Sequence, residues 1–219
     1  MLLIAFVLSA VAAVACNLVL PGAFWPYAAL KPLTTLLVIA HAWQRGHPGE
    51  LRRTALLGGL GLSLLGDVAL LWPQQGFLPG LVAFLLAHLV YLWAFTRGVR
   101  LAAWVPAFVG YAVLAAAVLA VLWPGVPGPL RAPVVAYVLC LAAMAAQTAC
   151  WWRARRGTVD GPLALGAALG GLLFLMSDAL LATNRFHTPL PLSALWILAT
   201  YWAAQWLIAS SLPPRPAQA

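Results

Sequence analysis

Eight apolar stretches, each closed off by Pro, Gly or Arg, run the length of this 219-residue chain. They fall at about 2–20, 28–44, 53–73, 78–97, 101–123, 131–152, 161–184 and 190–211. A helix of about twenty apolar residues crosses the hydrocarbon of a bilayer, where backbone polar groups must be satisfied within the protein. The pattern predicts an all-α polytopic membrane protein, a bundle of eight transmembrane helices. Composition excludes a soluble fold: 64% of residues are hydrophobic, 7% are charged, and mean hydropathy is +0.97. That is more apolar surface than a soluble domain of this length can bury. Residues 1–212 read as a single transmembrane domain and 213–219 as a short Pro-rich tail.

An even number of spans puts both termini on one side. Nine of the twelve basic residues fall on that side, and Lys31, Arg131 and Arg185 on the other, so both termini are expected to be cytoplasmic. The multi-pass protein is expected in a bacterial inner (cell) membrane. The formal net charge of +8 is scattered over short loops. No basic patch is interleaved with stacking aromatics, so nucleic acid is not an expected partner. Trp25, Trp43, Trp72 and Trp123 lie near span ends, as interfacial anchors do. Cys16, Cys140 and Cys150 sit inside apolar runs and suggest neither a disulfide frame nor a metal site. Ala13-Val14-Ala15-Cys16 loosely imitates a signal cleavage site, but no Lys or Arg precedes the apolar run. It reads as an uncleaved first helix.

The chain has four acidic residues, and two of them, Asp67 and Asp178, lie inside apolar spans. Each costs roughly 2.5–3.5 kcal/mol to insert, and the usual reason to keep one is function. Their surroundings echo each other, Gly66-Asp67-Val68-Ala69-Leu70-Leu71 against Ser177-Asp178-Ala179-Leu180-Leu181-Ala182. The echo falls on spans 3 and 7, which suggests a 4+4 parallel repeat about an axis along the membrane normal. Each acid is expected six residues from the outer end of its span, roughly 9 Å deep at the helical rise per residue.

Other polar residues converge on the same zone. Lys31 heads span 2, while Asn184 and Arg185 close span 7. His88 and Tyr91 share a face of span 4, and Tyr201 and Gln205 share a face of span 8. Gly59, Ser63 and Gly66 beside Asp67, and Gly170, Gly171 and Ser177 beside Asp178, favour close helix packing. Each also has a plainer reading. Lys31 at a span end equally well snorkels to headgroups, and Arg185 equally well anchors at the interface. His88 fits a core histidine bonded to a neighbouring carbonyl or hydroxyl. The two acids fit structural pairs with Lys31 and Arg185.

Lys31-Pro32-Leu33, then Gly66-Asp67 with Phe77, Gly80, Phe84, His88 and Tyr91, and finally Ser177-Asp178, Arg185-Phe186, Tyr201 and Gln205 resemble the YhhN-like lysoplasmalogenase family in order and spacing. The resemblance runs from about residue 31 to 208, with no motif on spans 5 and 6. It implies an integral-membrane hydrolase that cleaves the vinyl ether bond of a lysophospholipid, releasing a fatty aldehyde and a glycerophospho-headgroup. Such bonds break by protonation of the β-carbon and capture of the oxocarbenium ion by water, a division of labour like that of glycosidase carboxyls. Asp67 and Asp178 are the expected catalytic pair, without metal or cofactor. Lys31 and Arg185 are expected to hold the phosphate, and His88, Tyr91, Asn184, Tyr201 and Gln205 to line the substrate site. Two other classes fit the same acids: a proton-coupled transporter, for which uptake into liposomes under a proton gradient is diagnostic, and a non-catalytic lipid-binding protein, which would tolerate Asp-to-Asn changes. Sequence alone leaves the oligomeric state open.

Overall fold

Apolar runs that must satisfy their own backbone form helices, and the computed structural model, which describes residues 1–20, 22 and 24–215, has eight of them. They are α1 (Leu2–Val19), α2 (Phe24–Trp43), α3 (Leu51–Ala69), α4 (Phe77–Thr96), α5 (Val105–Leu122), α6 (Gly128–Arg155), α7 (Gly161–Phe186) and α8 (Ser193–Ser210). A 3₁₀ turn, Trp123–Gly125, follows α5. Residues 216–219 of the Pro-rich tail lie outside the described residues.

Five helices (α1, α4, α5 with its 3₁₀ turn, α6 and α7) are long and apolar enough on their own to cross a membrane. Each of the other three also carries polar residues: Lys31 on α2, Arg52, Arg53 and Asp67 on α3, and Tyr201 and Gln205 on α8. With Ile4, Leu8 and Val11 of α1 and Val109, Val113 and Val121 of α5 exposed, the chain is an integral membrane protein with lipid-facing helices.

Helices α2, α3, α4, α6, α7 and α8 pack in that order into a ring, closed by α8 against α2. Outside the ring, α1 lies on α2 and α8, and α5 lies on α6. The order repeats in that α1 to α4 pack one on the next and α5 to α8 do the same. Phe6 and His41 both stack on Trp206, at 4.6 and 3.9 Å between ring centres. The start of α1 and the ends of α2 and α8 therefore meet on one face. The tail is tied there too, since the Gly46 amide donates to the Pro213 carbonyl and the Arg45 Nε to that of Leu212. Arginines stack on tryptophans at helix ends, Arg53 on Trp43, Arg97 on Trp93 and Arg131 on Trp123, as interfacial cation–π pairs.

Three helix ends lie four residues from those expected, the first being the start of α2 at Phe24 rather than 28. Helix α3 stops at Ala69 rather than 73, because the ring of Pro73 clashes with a helical carbonyl four residues back. Helix α5 starts at Val105 rather than 101, with Pro106 in its first turn. Ala102, at φ 56, precedes it, and its amide donates to Gln147 Oε1. Gln147, fully buried on α6, also donates from Nε2 to the carbonyls of Phe95 and Val99. A buried amide with its bonds made fixes the α4–α5 loop on α6.

The 3₁₀ turn packs tightly on the end of α7, where a Cβ at Gly125 would meet the Phe186 carbonyl. Backbone yields less than a side chain, so Gly125→Ala is expected to destabilise by about 1–3 kcal/mol. A melt in detergent checks this, and an unchanged midpoint rejects the close approach.

Candidate active site

Asp67 lies in the last turn of α3 and is 1% exposed. Its Oδ2 accepts from the hydroxyls of Thr35 on α2 at 2.6 Å and Tyr201 on α8 at 2.7 Å. The Lys31 ammonium is 3.6 Å from Oδ1 and donates to the Asp67 carbonyl at 3.2 Å. Lys31 is only 5% exposed, so it does not snorkel. A lysine this deep needs a counter-charge, and Asp67 supplies it. Beyond Tyr201 the hydrogen bonds continue. Gln205 Nε2 donates to the Tyr201 oxygen at 3.3 Å, and the Tyr91 hydroxyl donates to Gln205 Oε1 at 2.9 Å. The glycines of α3 let α4 approach, and a Cβ at Gly66 would run into the Phe84 ring.

Asp178 stands apart from this set. It is eight residues before the end of α7 at Phe186, whereas Asp67 is two before the end of α3 at Ala69, so the equal spacing of six residues expected of them does not hold. Among the described residues its one side-chain hydrogen-bond partner is the Tyr137 hydroxyl of α6. Tyr201 packs edge-on against Phe84 and Phe174, at 5.7 and 5.5 Å. His88 packs against Phe174 at 4.5 Å and Tyr137 at 5.3 Å. An aromatic layer thus lies between the Asp67 set and the Asp178–Tyr137 pair. No side chain among the described residues bonds to both acids. His88 is fully buried, and neither ring nitrogen has a partner there, so the expected bond to a carbonyl or hydroxyl is not formed.

Half-buried Asp178 opens onto an apolar pocket of about 90 Å³ between α4, α5, α6 and α7. Tyr137, Leu141 and Leu175 lie beside it, and Phe77, Leu122 and Phe186 lie toward the loops on the face away from the termini. Arg185, exposed, stacks 3.8 Å over Phe77 and donates to the Pro73 carbonyl at 3.1 Å. Arg185 therefore makes no pair with Asp178. The Asn184 Oδ1 accepts the Leu190 amide at 2.9 Å and fastens the α7–α8 loop. Sequence reasoning missed Tyr137 and Thr35. Tyr137 carries the one hydroxyl between Arg131 and Gln147, and that isolation was the available signal.

The fold and site define a polytopic helical membrane protein with two carboxyl centres, a buried one at Asp67 and a half-buried one at Asp178 that is open to an apolar pocket. Residues 27–212 match the YhhN family, and the chain belongs to it. Pig (Sus scrofa) lysoplasmalogenase TMEM86B is 37% identical over 199 residues, covering 88% of this chain and 77% of that one. Human (Homo sapiens) lysoplasmalogenase TMEM86A is 34% identical over 184 residues, covering 80% and 72%. The uncharacterized membrane protein YhhN of Escherichia coli O157:H7 is 29% identical over 193 residues, covering 87% and 89%. No solved structure matches the chain.

Proposed function

We propose that this protein hydrolyses the vinyl ether bond of a lysoplasmalogen, with Asp178 as the proton donor. Membership of a family whose members include lysoplasmalogenases supports the reaction class. The observation that carries the assignment within the site is that the Asp178 carboxyl faces an apolar pocket with a single hydroxyl partner. Asp67 already accepts two hydroxyls and faces an ammonium, an environment made for a carboxylate. Asp178 has no cation beside it, and apolar surroundings favour the neutral acid, which has a proton to give.

In this reading the alkenyl end of the lipid enters the pocket and Asp178 transfers its proton to the β-carbon. The resulting oxocarbenium ion faces the new carboxylate. Water adds to the α-carbon and gives up a proton to Asp178, which restores the acid. The hemiacetal then collapses to fatty aldehyde and the free glycerol hydroxyl. Asp67 acts at one remove by holding Tyr201, which packs on Phe84 of the pocket wall. Arg185, stacked over Phe77 of the pocket wall, takes the phosphate. The whole is one membrane domain, 1–212, in a bacterial inner membrane with cytoplasmic termini. The mouth then faces the outer leaflet.

The test is aldehyde release by the purified protein in detergent from lysoplasmenylethanolamine and lysoplasmenylcholine, beside the acyl analogue lysophosphatidylethanolamine. Aldehyde from the vinyl ethers and no fatty acid from the ester is the expected result. No aldehyde from either headgroup by folded protein overturns the proposal.

A further inference from the structure

The Asp178 pocket is far smaller than a fatty chain. An apolar cavity of about 150 Å³ takes the six carbons of benzene, so this pocket of about 90 Å³ takes roughly three or four. Its length agrees. The lining residues run from Phe77 to Phe84 on α4 and from Ala115 to Leu122 on α5, about 10 Å on each at the helical rise. On α7 the deepest is Leu175, three residues below Asp178, which leaves about 5 Å of pocket beyond the carboxyl. A lipid with its ether at Asp178 and its phosphate at Arg185 points its chain inward, where most of it has no room.

The chain must therefore leave the protein, and the helix packing shows which wall is open. In the first half of the bundle α1 packs both on α2 and on α8. Its counterpart α5 packs along α6, meets α7 briefly and forms no comparable packing on α4, although all four line the pocket. The far side of α5 faces lipid through Val109, Val113 and Val121. At the floor of the pocket α5 contributes its smallest lining residue, Ala115. Lipid tails are as apolar as the pocket, so nothing drives a whole chain out of the bilayer into the protein.

We propose that the pocket reads only the first carbons of the alkenyl chain, and that the rest passes out beside Ala115 and stays in the bilayer against α5. The inference rests on the vinyl ether reading of Asp178. Specificity then lies in the shape of the chain next to the ether, where Ala115, Leu141 and Leu175 close the floor, and not in its length.

The experiment follows aldehyde release by the full-length protein in nanodiscs from lysoplasmenylcholines held at one mole fraction of lipid, because each methylene alters partition into the bilayer. The alkenyl chains run from roughly ten to eighteen carbons, and two long chains are modified, one with pyrene at its far end and one with a gem-dimethyl branch beside the vinyl ether. Rates within about twofold along the series and with pyrene, and a loss of about tenfold or more with the branch, support the proposal. Ala115→Phe fills the floor and is expected to slow the long chains about tenfold or more while sparing an alkenyl group of roughly four carbons. If that variant fails to fold, the wild-type series decides alone. A sharp optimum in chain length, loss of activity with pyrene, tolerance of the branch, or an equal loss by Ala115→Phe on short and long chains overturns the proposal. Aldehyde released in those cases leaves the vinyl ether reading standing, whereas no aldehyde from any substrate overturns both.

Discussion

Asp178→Asn is expected to cut aldehyde release by a factor on the order of 10²–10⁴, the range a positioned general acid contributes. Asparagine has the same shape, and its Oδ1 still accepts the Tyr137 hydroxyl that Asp178 accepts now. The bundle is expected to melt as the wild type does, so the loss reads on chemistry and not on folding. What the amide lacks is a proton to give to carbon. Tyr137→Phe removes only the hydroxyl that orients the acid, and its expected loss is smaller. The measurement is kcat on lysoplasmenylethanolamine with a melt of each variant alongside. A folded Asp178→Asn protein that keeps most of its activity moves the acid elsewhere, with Asp67 the next candidate.

The eight helices were legible because a bilayer imposes one length and one polarity on every span, and that signal is summed over some twenty residues. Helix ends are decided by one or two residues, which is why Pro73 moved the end of α3 and, with it, the place of Asp67 along its helix. Lys31 shows how such an error reaches the site. With the span begun near 28 it reads as an end lysine. Helix α2 begins at Phe24, which puts Lys31 two turns inside and beyond the reach of water.

Both acids were visible, since a charge in an apolar run stands out whatever surrounds it. Of their partners Lys31 was visible too, as the counter-charge of Asp67, but the hydroxyls that bond to the acids were not matched to them. The Tyr137–Asp178 and Tyr201–Asp67 bonds join residues 41 and 134 positions apart, and nothing local marks them. The division of the two carboxyls into separate centres depends on how Phe84, Phe174 and His88 are rotated into the ring of helices. Those residues look like ordinary core in a sequence, because that is also what they are.

Lys31→Met is expected to cost about 3–5 kcal/mol of stability, the range for removing one partner of a buried ion pair. The pair is deep, with Lys31 5% and Asp67 1% exposed, and the remaining carboxylate would keep two hydroxyls but no counter-charge. Methionine fills much of the lysine stem, so a cavity is not the main loss. Lys31→Met combined with Asp67→Asn removes both charges together and is expected to be more stable than Lys31→Met alone, with a coupling of about 0.5–3 kcal/mol. Unfolding in detergent mixtures measures all three variants. A Lys31→Met protein as stable as wild type rejects the buried pair. The same proteins decide what Asp67 does, because activity is read per folded molecule. If Asp67 only holds Tyr201 against the pocket wall, the folded double variant retains most of the wild-type kcat, since asparagine still accepts the Tyr201 hydroxyl. If Asp67 shares the chemistry, kcat falls as far as it does in Asp178→Asn.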